Sequence, residues 1–448
     1  MYVDMAELMS TMKLRPAHFK IIFVASLGQF LGQGLATLVG IVIPLLVLAV
    51  PSGIPSGLQG VLGCISLIGI MIGSAVIGNL SDRYGYLFLF RLCPVVCGLA
   101  ALAVVLFPKV AVLTPALFVM GFAVGGEYSL DPNYISELMP DKWKLFMVGF
   151  AKALASAGSA FVAAICYFIL SHGHVHADIW PMLMLIVVGL CTVMFVTRIG
   201  FAQSPEWLVE HGKNVLAEKA VEKMLGKDVE MDVPATKGNV PAPQAVSLWK
   251  FVATRLRKVI LTGVPWACEG LGVYGIGIFL PILIIAFGLD SLPPHSAPIE
   301  RITHSVGMTF ILCVVMMVGF ALGLAILKKV NHIGLQIWGF CLSAAGLGIL
   351  LAAYLLHWHP GVAIAGFVLF ELALNAGPHL ITFVLPSQVF AINDRGTGAG
   401  IAAAIGKAGA VVGAFCIPII LHHWGAAGVL IVSIIVMALG AVITAAAK

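Results

Sequence analysis

The chain is 448 residues long, 60% hydrophobic and only 10% charged, whereas a soluble domain carries roughly 25% charged residues. Its net charge of +5 sits in short loops rather than along one face or a tail, which excludes a nucleic-acid-binding surface. No nucleophile with its base, metal-ligand set or phosphate loop is present, which excludes the common enzyme classes and implies no cofactor.

Apolar runs of about 20 residues, the length a helix needs to cross the hydrocarbon, recur from Ile21 to the C-terminus. In chain order they predict twelve spans, at 19–48, 57–79, 87–107, 111–136, 145–169, 178–198, 257–287, 304–327, 333–356, 361–388, 396–421 and 425–446. With both termini cytoplasmic, the outside loops hold only Lys109 and Arg301 of the 25 basic residues. The inside loops hold Arg83, Lys142, Lys144, Arg255, Arg257, Lys258, Lys328, Lys329 and Arg395, the positive-inside pattern. The expectation is a multi-pass protein of a bacterial-type inner membrane, embedded in the lipid bilayer as a monomer. The nine cysteines stand singly in apolar segments with no ligand spacing and read as small buried hydrophobes.

The one long polar stretch, from about Ala202 to Lys250, falls between the sixth and seventh spans. It divides the chain into an N-terminal six-helix half (1–199), a cytoplasmic linker (200–255) and a C-terminal six-helix half (256–448). Within the linker, Asn214 to Leu225 reads as a short helix stopped by Gly226, followed by the tether Val233 to Pro243. The halves repeat: adding 251 to a number in the fourth and fifth spans pairs Gly126 with Gly377, Ser136 with Ser387, Glu137 with Gln388, Lys144 with Arg395, Gly149 with Gly400, and Ala157-Gly158 with Ala408-Gly409. Parallel repeats of this kind place a substrate site between the halves, near mid-depth.

Several segments resemble a known family. Gly78-Asn-Leu-Ser-Asp82-Arg83-Tyr-Gly85 resembles the signature between the second and third helices of major facilitator transporters, whose Asp and Arg hold helix ends together in one conformation and release them in the other. The resemblance makes Asp82, Arg83, Gly85 and Arg395 gating residues. The second-half copy, Gly323 to Gly334, has Asn331 where an Asp would stand. Asn375-Ala-Gly377-Pro378-His379-Leu-Ile-Thr382-Phe383, with Gly406-Lys407-Ala-Gly409, is similar to the tenth and eleventh helices of the phosphate:proton symporter branch near the sugar porters. Gly125-Gly-Glu127-Tyr128 resembles that branch's fourth helix, and Gln203-Ser204-Pro205-Glu206 its segment after the sixth. The resemblance implies an all-α fold of twelve transmembrane helices in two pseudo-symmetric bundles.

The departures are specific. The first helix reads Gly28-Gln-Phe30-Leu-Gly32-Gln33, with no acid where the branch has two aspartates. His379 replaces an Asn, and the fifth-helix Gln of the branch is either replaced by Ala155 or lost. In the seventh helix, Glu269 stands one residue early relative to Tyr274, so the helix must be locally irregular for both to share a face, which Gly270 and Gly272 permit.

Ionisable residues at mid-membrane are costly and mark function by default. The set is Glu127, Asp131, Lys152, Glu269, Glu371, His379 and Lys407. Glu127, Asp131 and Glu269 are the proton-coupling candidates. An Asp131 to Lys152 pair would leave Glu127 free to titrate, while Glu127 could instead pair with Lys152. Lys152 either attracts an anionic substrate or neutralises the fourth-helix acids. Tyr128, Trp266, Tyr274, Asn375, His379 and Gln33 complete the substrate-binding candidates. For His379, Asn375 and Gln33 the alternative is helix packing or interhelical hydrogen bonding. Glu371 reads as structural and Lys407 as a helix-start residue facing the cytoplasm. The function expected is secondary active transport by alternating access, as proton-coupled uptake of a small polar or anionic metabolite such as an organic acid, phosphate or a sugar-like molecule. Proton antiport export and a non-transporting nutrient sensor are the alternatives.

Overall fold

The computed structural model describes residues 14–50, 53–84, 86–172, 176–203, 208, 212–225, 248–287, 292–293, 296–390 and 395–447. The N-terminal bundle comprises α1 (Pro16–Ala49), α2 (Ser56–Tyr84), α3 (Tyr86–Leu106), α4 (Val110–Leu138), α5 (Asp141–Ser171) and α6 (Leu185–Arg198). Then come the linker helices α7 (Asn214–Leu225) and α8 (Leu248–Thr254). The rest of the chain forms α9 (Leu256–Gly270), a π-helical turn (Leu271–Ile276), α10 (Leu280–Ala286), α11 (Pro298–Ile326), α12 (His332–Leu355), α13 (Pro360–Ala376), α14 (Pro378–Val389) and α15 (Arg395–Ala447). The expected linker helix is present with its expected bounds, whereas the tether Val233 to Pro243 lies outside the described residues.

Among the described residues, eleven helical stretches are long and apolar enough to cross a membrane, the last running 48 residues from Gly400 to Ala447. At 1.5 Å per residue that stretch is about 72 Å long, more than twice the hydrocarbon thickness. It breaks at Gly425, whose φ of 66° and ψ of −171° leave helical geometry. Glycine adopts this conformation without a Cβ clash, so α15 is two crossings and the bundle has twelve.

Burial sorts the crossings by role. The windows of α1, of α9 with the π turn, and of α13 with α14 are 89%, 72% and 72% buried, against 39% for the windows of α3, α6 and α12. The first group therefore lines the centre and the second faces lipid. Two central crossings are discontinuous, one at the π turn and one at Gly377, where φ −109° and ψ −95° separate α13 from α14. Helices interrupted at mid-depth expose backbone and redirect side chains, and in transporters they occur where a cavity is lined.

The repeat predicted from the 251-residue offset has a physical counterpart. A side chain at Gly158 would strike the Phe30 carbonyl of α1, and one at Gly409 would strike the Ala267 carbonyl of α9. In each half the same glycine lets one helix press on the central one. Between the halves, α5 packs along α11, with Ala160 against Cys313 and Met316 and Gly307 against Tyr167. At the end remote from the linker, Gly40 of α1 abuts the Ile278 carbonyl and Gly60 of α2 abuts the Phe415 carbonyl, which closes that end. Asn331 caps α12, accepting a hydrogen bond from the Gly334 amide at 3.2 Å.

Candidate functional site

Among the described residues, two clusters of buried and half-buried polar residues lie inside the bundle. The first, within α1, α4 and α6, is built on Arg198, which is fully buried. Its Nη1 and Nη2 each donate to one oxygen of Glu127 at 2.7 Å, and Nη1 also donates to the Phe90 carbonyl at 2.8 Å. The guanidinium lies 3.6 Å from the centroid of the Phe90 ring, and Asp131 Oδ1 is 3.8 Å from Nη2. A bidentate arginine fork is the strongest way to hold a buried carboxylate. Gly28 of α1 lies against both acids, leaving no room for a Cβ. Nearby, Arg91 staples α3 to the end of α6 by donating to the Ile199 carbonyl at 2.7 Å, and Gln203 Oε1 accepts from the Leu87 amide at 2.8 Å.

This cluster corrects the expected pairing. Lys152 does not pair with Asp131 or Glu127, because α6 delivers Arg198 to both acids while α5 turns Lys152 toward the centre. Glu127 is consequently locked in an ion pair rather than left free. Arg198 went unnoticed in sequence because an arginine ending the sixth apolar run reads as a topology marker. The signal that could have found it is that two acids on one buried helix face require a cation.

The second cluster joins the halves at mid-depth. Tyr128 of α4 and Tyr274 of the π turn meet hydroxyl to hydroxyl at 3.0 Å. Lys407 of α15 donates to the Tyr274 hydroxyl at 3.0 Å, and its ammonium lies 4.5 Å and 4.2 Å from the centroids of the Tyr128 and Tyr274 rings. Lys152 approaches the same Tyr128 ring at 5.4 Å and the Phe383 ring at 5.8 Å. These are cation–π distances, and Lys152 is 4% exposed. The expectation that Lys407 faces the cytoplasm is overturned: it stands twelve residues into α15, three helical turns from the helix start, and points inward. Trp266 packs against Gly406 and meets Phe383 edge-on with ring centroids 6.2 Å apart.

Glu269, His379, Asn375 and Glu371 form a file beside the tyrosines, all buried. His379 Nε2 is 3.5 Å from Glu269 Oε1, His379 Nδ1 is 2.9 Å from Asn375 Oδ1, and Asn375 Nδ2 donates to Glu371 Oε2 at 3.1 Å. Residues five apart on an α-helix diverge by about 140°. The π turn, which begins two residues after Glu269 and contains Tyr274, is a local irregularity of the kind the glycines permit, and it brings both to the centre. Gln33 lines a narrow void with Thr37, Ser159, Tyr274, Thr309 and Glu371. Its volume, about 20 Å³ open to the centre of a water molecule, holds about one water and excludes any metabolite. The side chains of Asp82, Arg83 and Arg395, and residue Gly85, lie outside those described.

Twelve crossings around a charged, aromatic centre shared by two bundles are the architecture of a membrane carrier. The sequence pattern of the family described as "Sugar (and other) transporter" matches residues 49–447, and the chain belongs to that family. Among its relatives, the inner membrane metabolite transport protein YgcS of Escherichia coli is 23% identical over 390 residues, 86% of this chain and 82% of that one. The low affinity inorganic phosphate transporter 3 of Petunia hybrida is 24% identical over 404 residues, 82% of this chain and 74% of that one. Among solved structures, the partially occluded inward open xylose transporter XylE of E. coli superimposes with a TM-score of 0.75 at 21% identity, covering 95% of this chain and 97% of that one. These confirm the major facilitator fold. The protein is a multi-pass membrane transporter, not an enzyme.

Proposed function

We propose that the chain carries a small anionic metabolite, an organic acid or phosphate, into the cell together with protons. The observation that carries this reading is the pair Lys152 and Lys407, which approach one tyrosine from opposite halves. Among the described residues neither has a carboxylate within ion-pair distance. Ammonium groups withdrawn from bulk water without a counter-ion, Lys152 buried and Lys407 half-buried, are costly, and an anion seated between them would neutralise both and draw the halves together. Tyr128, Tyr274, Trp266 and Gln33 would supply hydrogen bonds and an apolar wall.

Glu269 is the protonation site in this reading, since it is a buried acid beside the lysines rather than one held by an arginine. Glu127 and Asp131 then belong to a structural network with Arg198. Lys152 comes from the N-terminal six-helix half and Lys407 from the C-terminal one, so rocking of one half against the other about a fixed anion gives alternating access. The basic loops support a cytoplasmic linker end and cytoplasmic termini, with the protein acting as a monomer in an inner membrane like that of its E. coli relative. Support also comes from the names of relatives: a phosphate transporter and a proton:xylose symporter.

The test is a thermal-shift screen of the purified protein against inorganic phosphate, mono- and dicarboxylates, sugar acids and neutral sugars, at acidic and neutral pH. Stabilisation by an anion that is lost in Lys152→Ala and Lys407→Ala supports the reading. Stabilisation by neutral sugars alone, unchanged in both variants, would overturn it.

A further inference from the structure

The file Glu371, Asn375, His379 and Glu269 determines its own hydrogen-bond polarity. Asn375 Nδ2 faces two acceptors, the Glu371 carbonyl at 2.8 Å and the Glu371 carboxylate at 3.1 Å. The amide nitrogen must therefore point toward Glu371, which leaves Oδ1 pointing at His379 Nδ1 at 2.9 Å. Oδ1 only accepts, so Nδ1 carries the hydrogen. In the neutral ring Nε2 then bears a lone pair, and it faces Glu269 Oε1 at 3.5 Å. That oxygen is buried without a hydrogen-bond partner, and the Phe320 ring packs at a tilt against the imidazole, with centroids 4.9 Å apart, and holds it in place.

An ionised carboxylate and a lone pair both lack a proton, so the contact cannot be a hydrogen bond unless one proton is added. We propose that Glu269 and His379 hold the coupling proton between them, with Asn375, oriented by Glu371, as the positioning residue that makes His379 its acceptor. Proton uptake converts carboxylate and neutral imidazole into a pair joined by one proton, either O–H to Nε2 or N–H⁺ to carboxylate. Proton release returns both to their starting forms. The inference rests on the reading that Glu269 is the protonation site. The other titratable groups facing the pair are Lys152 from α5, Lys407 from α15, Tyr128 from α4, Tyr274 from the π turn and the neighbouring Cys268, with Glu371 behind Asn375. Substrate bound to the lysines would thus act directly on the proton held by the pair, which gives coupling a physical basis.

Two spectra of the purified full-length protein test this without a substrate. The first is nitrogen NMR of protein labelled at histidine nitrogens, with His379 assigned by the resonances missing in His379→Gln. The second is the infrared carboxylic C=O stretch as pH is stepped, with Glu269 assigned by the band missing in Glu269→Gln. The expected result is a neutral His379 protonated at Nδ1, and a Glu269 band and His379 Nε2 shift that titrate together. Asn375→Leu should separate the two midpoints by about one pH unit or more. A neutral His379 protonated at Nε2, or a Glu269 band that titrates independently of His379 in the wild type, overturns the shared proton while leaving Glu269 as the protonation site. A Glu269 band that never titrates overturns the underlying reading as well. The wild-type spectra decide the matter even where Asn375→Leu fails to fold.

Discussion

Replacing Arg198 with methionine removes one partner of a fully buried ion pair and keeps much of the side-chain length. Glu127 would lose two hydrogen bonds of 2.7 Å, and Asp131 its nearest cation, at 3.8 Å. Breaking a buried pair on one side costs about 3–5 kcal/mol because the remaining charge is stranded. At roughly 2 °C per kcal/mol for a large domain, the apparent Tm in detergent should fall by about 6–10 °C. The stranded carboxylate is relieved by a proton, so the deficit should shrink as the medium is acidified and grow toward alkaline pH. Arg198→Met combined with Glu127→Gln removes both charges of the bidentate pair and should recover part of the loss, with Asp131 left as the remaining buried acid. An unchanged Tm in the single variant, or a double variant no better than the single, would refute the assignment of Arg198 as the counter-ion that locks α4 to α6.

Lys152→Ala and Lys407→Ala should each weaken binding of the stabilising anion by about 10- to 100-fold, the worth of one charge-assisted hydrogen bond, as read from thermal-shift titrations. Gly158→Leu and Gly409→Leu should each destabilise by about 1–3 kcal/mol or more through overpacking. Gly348→Ala, where a Cβ meets nothing within 4 Å, should leave the thermal midpoint nearly unmoved. Gly40→Leu places a side chain against the Ile278 carbonyl and should hold the far end open. Cys313, buried in the central void, should then label faster with a water-soluble thiol reagent, as read by peptide mass spectrometry.

The crossings were legible because membrane thickness is written into the length of each apolar run, a one-dimensional property that no tertiary contact overrides. The π turn was only half legible: Glu269 and Tyr274 cannot share a face of a regular helix, and two glycines between them permit an irregularity without requiring it. The 251-residue offset likewise anticipated that Gly158 and Gly409 make the same contact in each half. What sequence does not carry is the rotation of each helix about its own axis. Lys407 sits near the start of its apolar run but faces Tyr274, and Lys152 faces Tyr128 rather than the nearby acids. Arg198 illustrates the same gap, because a residue ending one span and an acid in another meet only once α6 packs against α3 and α1.

The most direct measurement is charge and proton movement in proteoliposomes challenged, under an inward proton gradient, with inorganic phosphate, mono- and dicarboxylates, sugar acids and neutral sugars in turn. The account predicts that at least one anion enters with acidification of the lumen, and that Lys152→Ala, Lys407→Ala and Glu269→Gln each abolish the proton-driven accumulation. Entry of neutral sugars alone, with no proton movement and no change in the three variants, would contradict it.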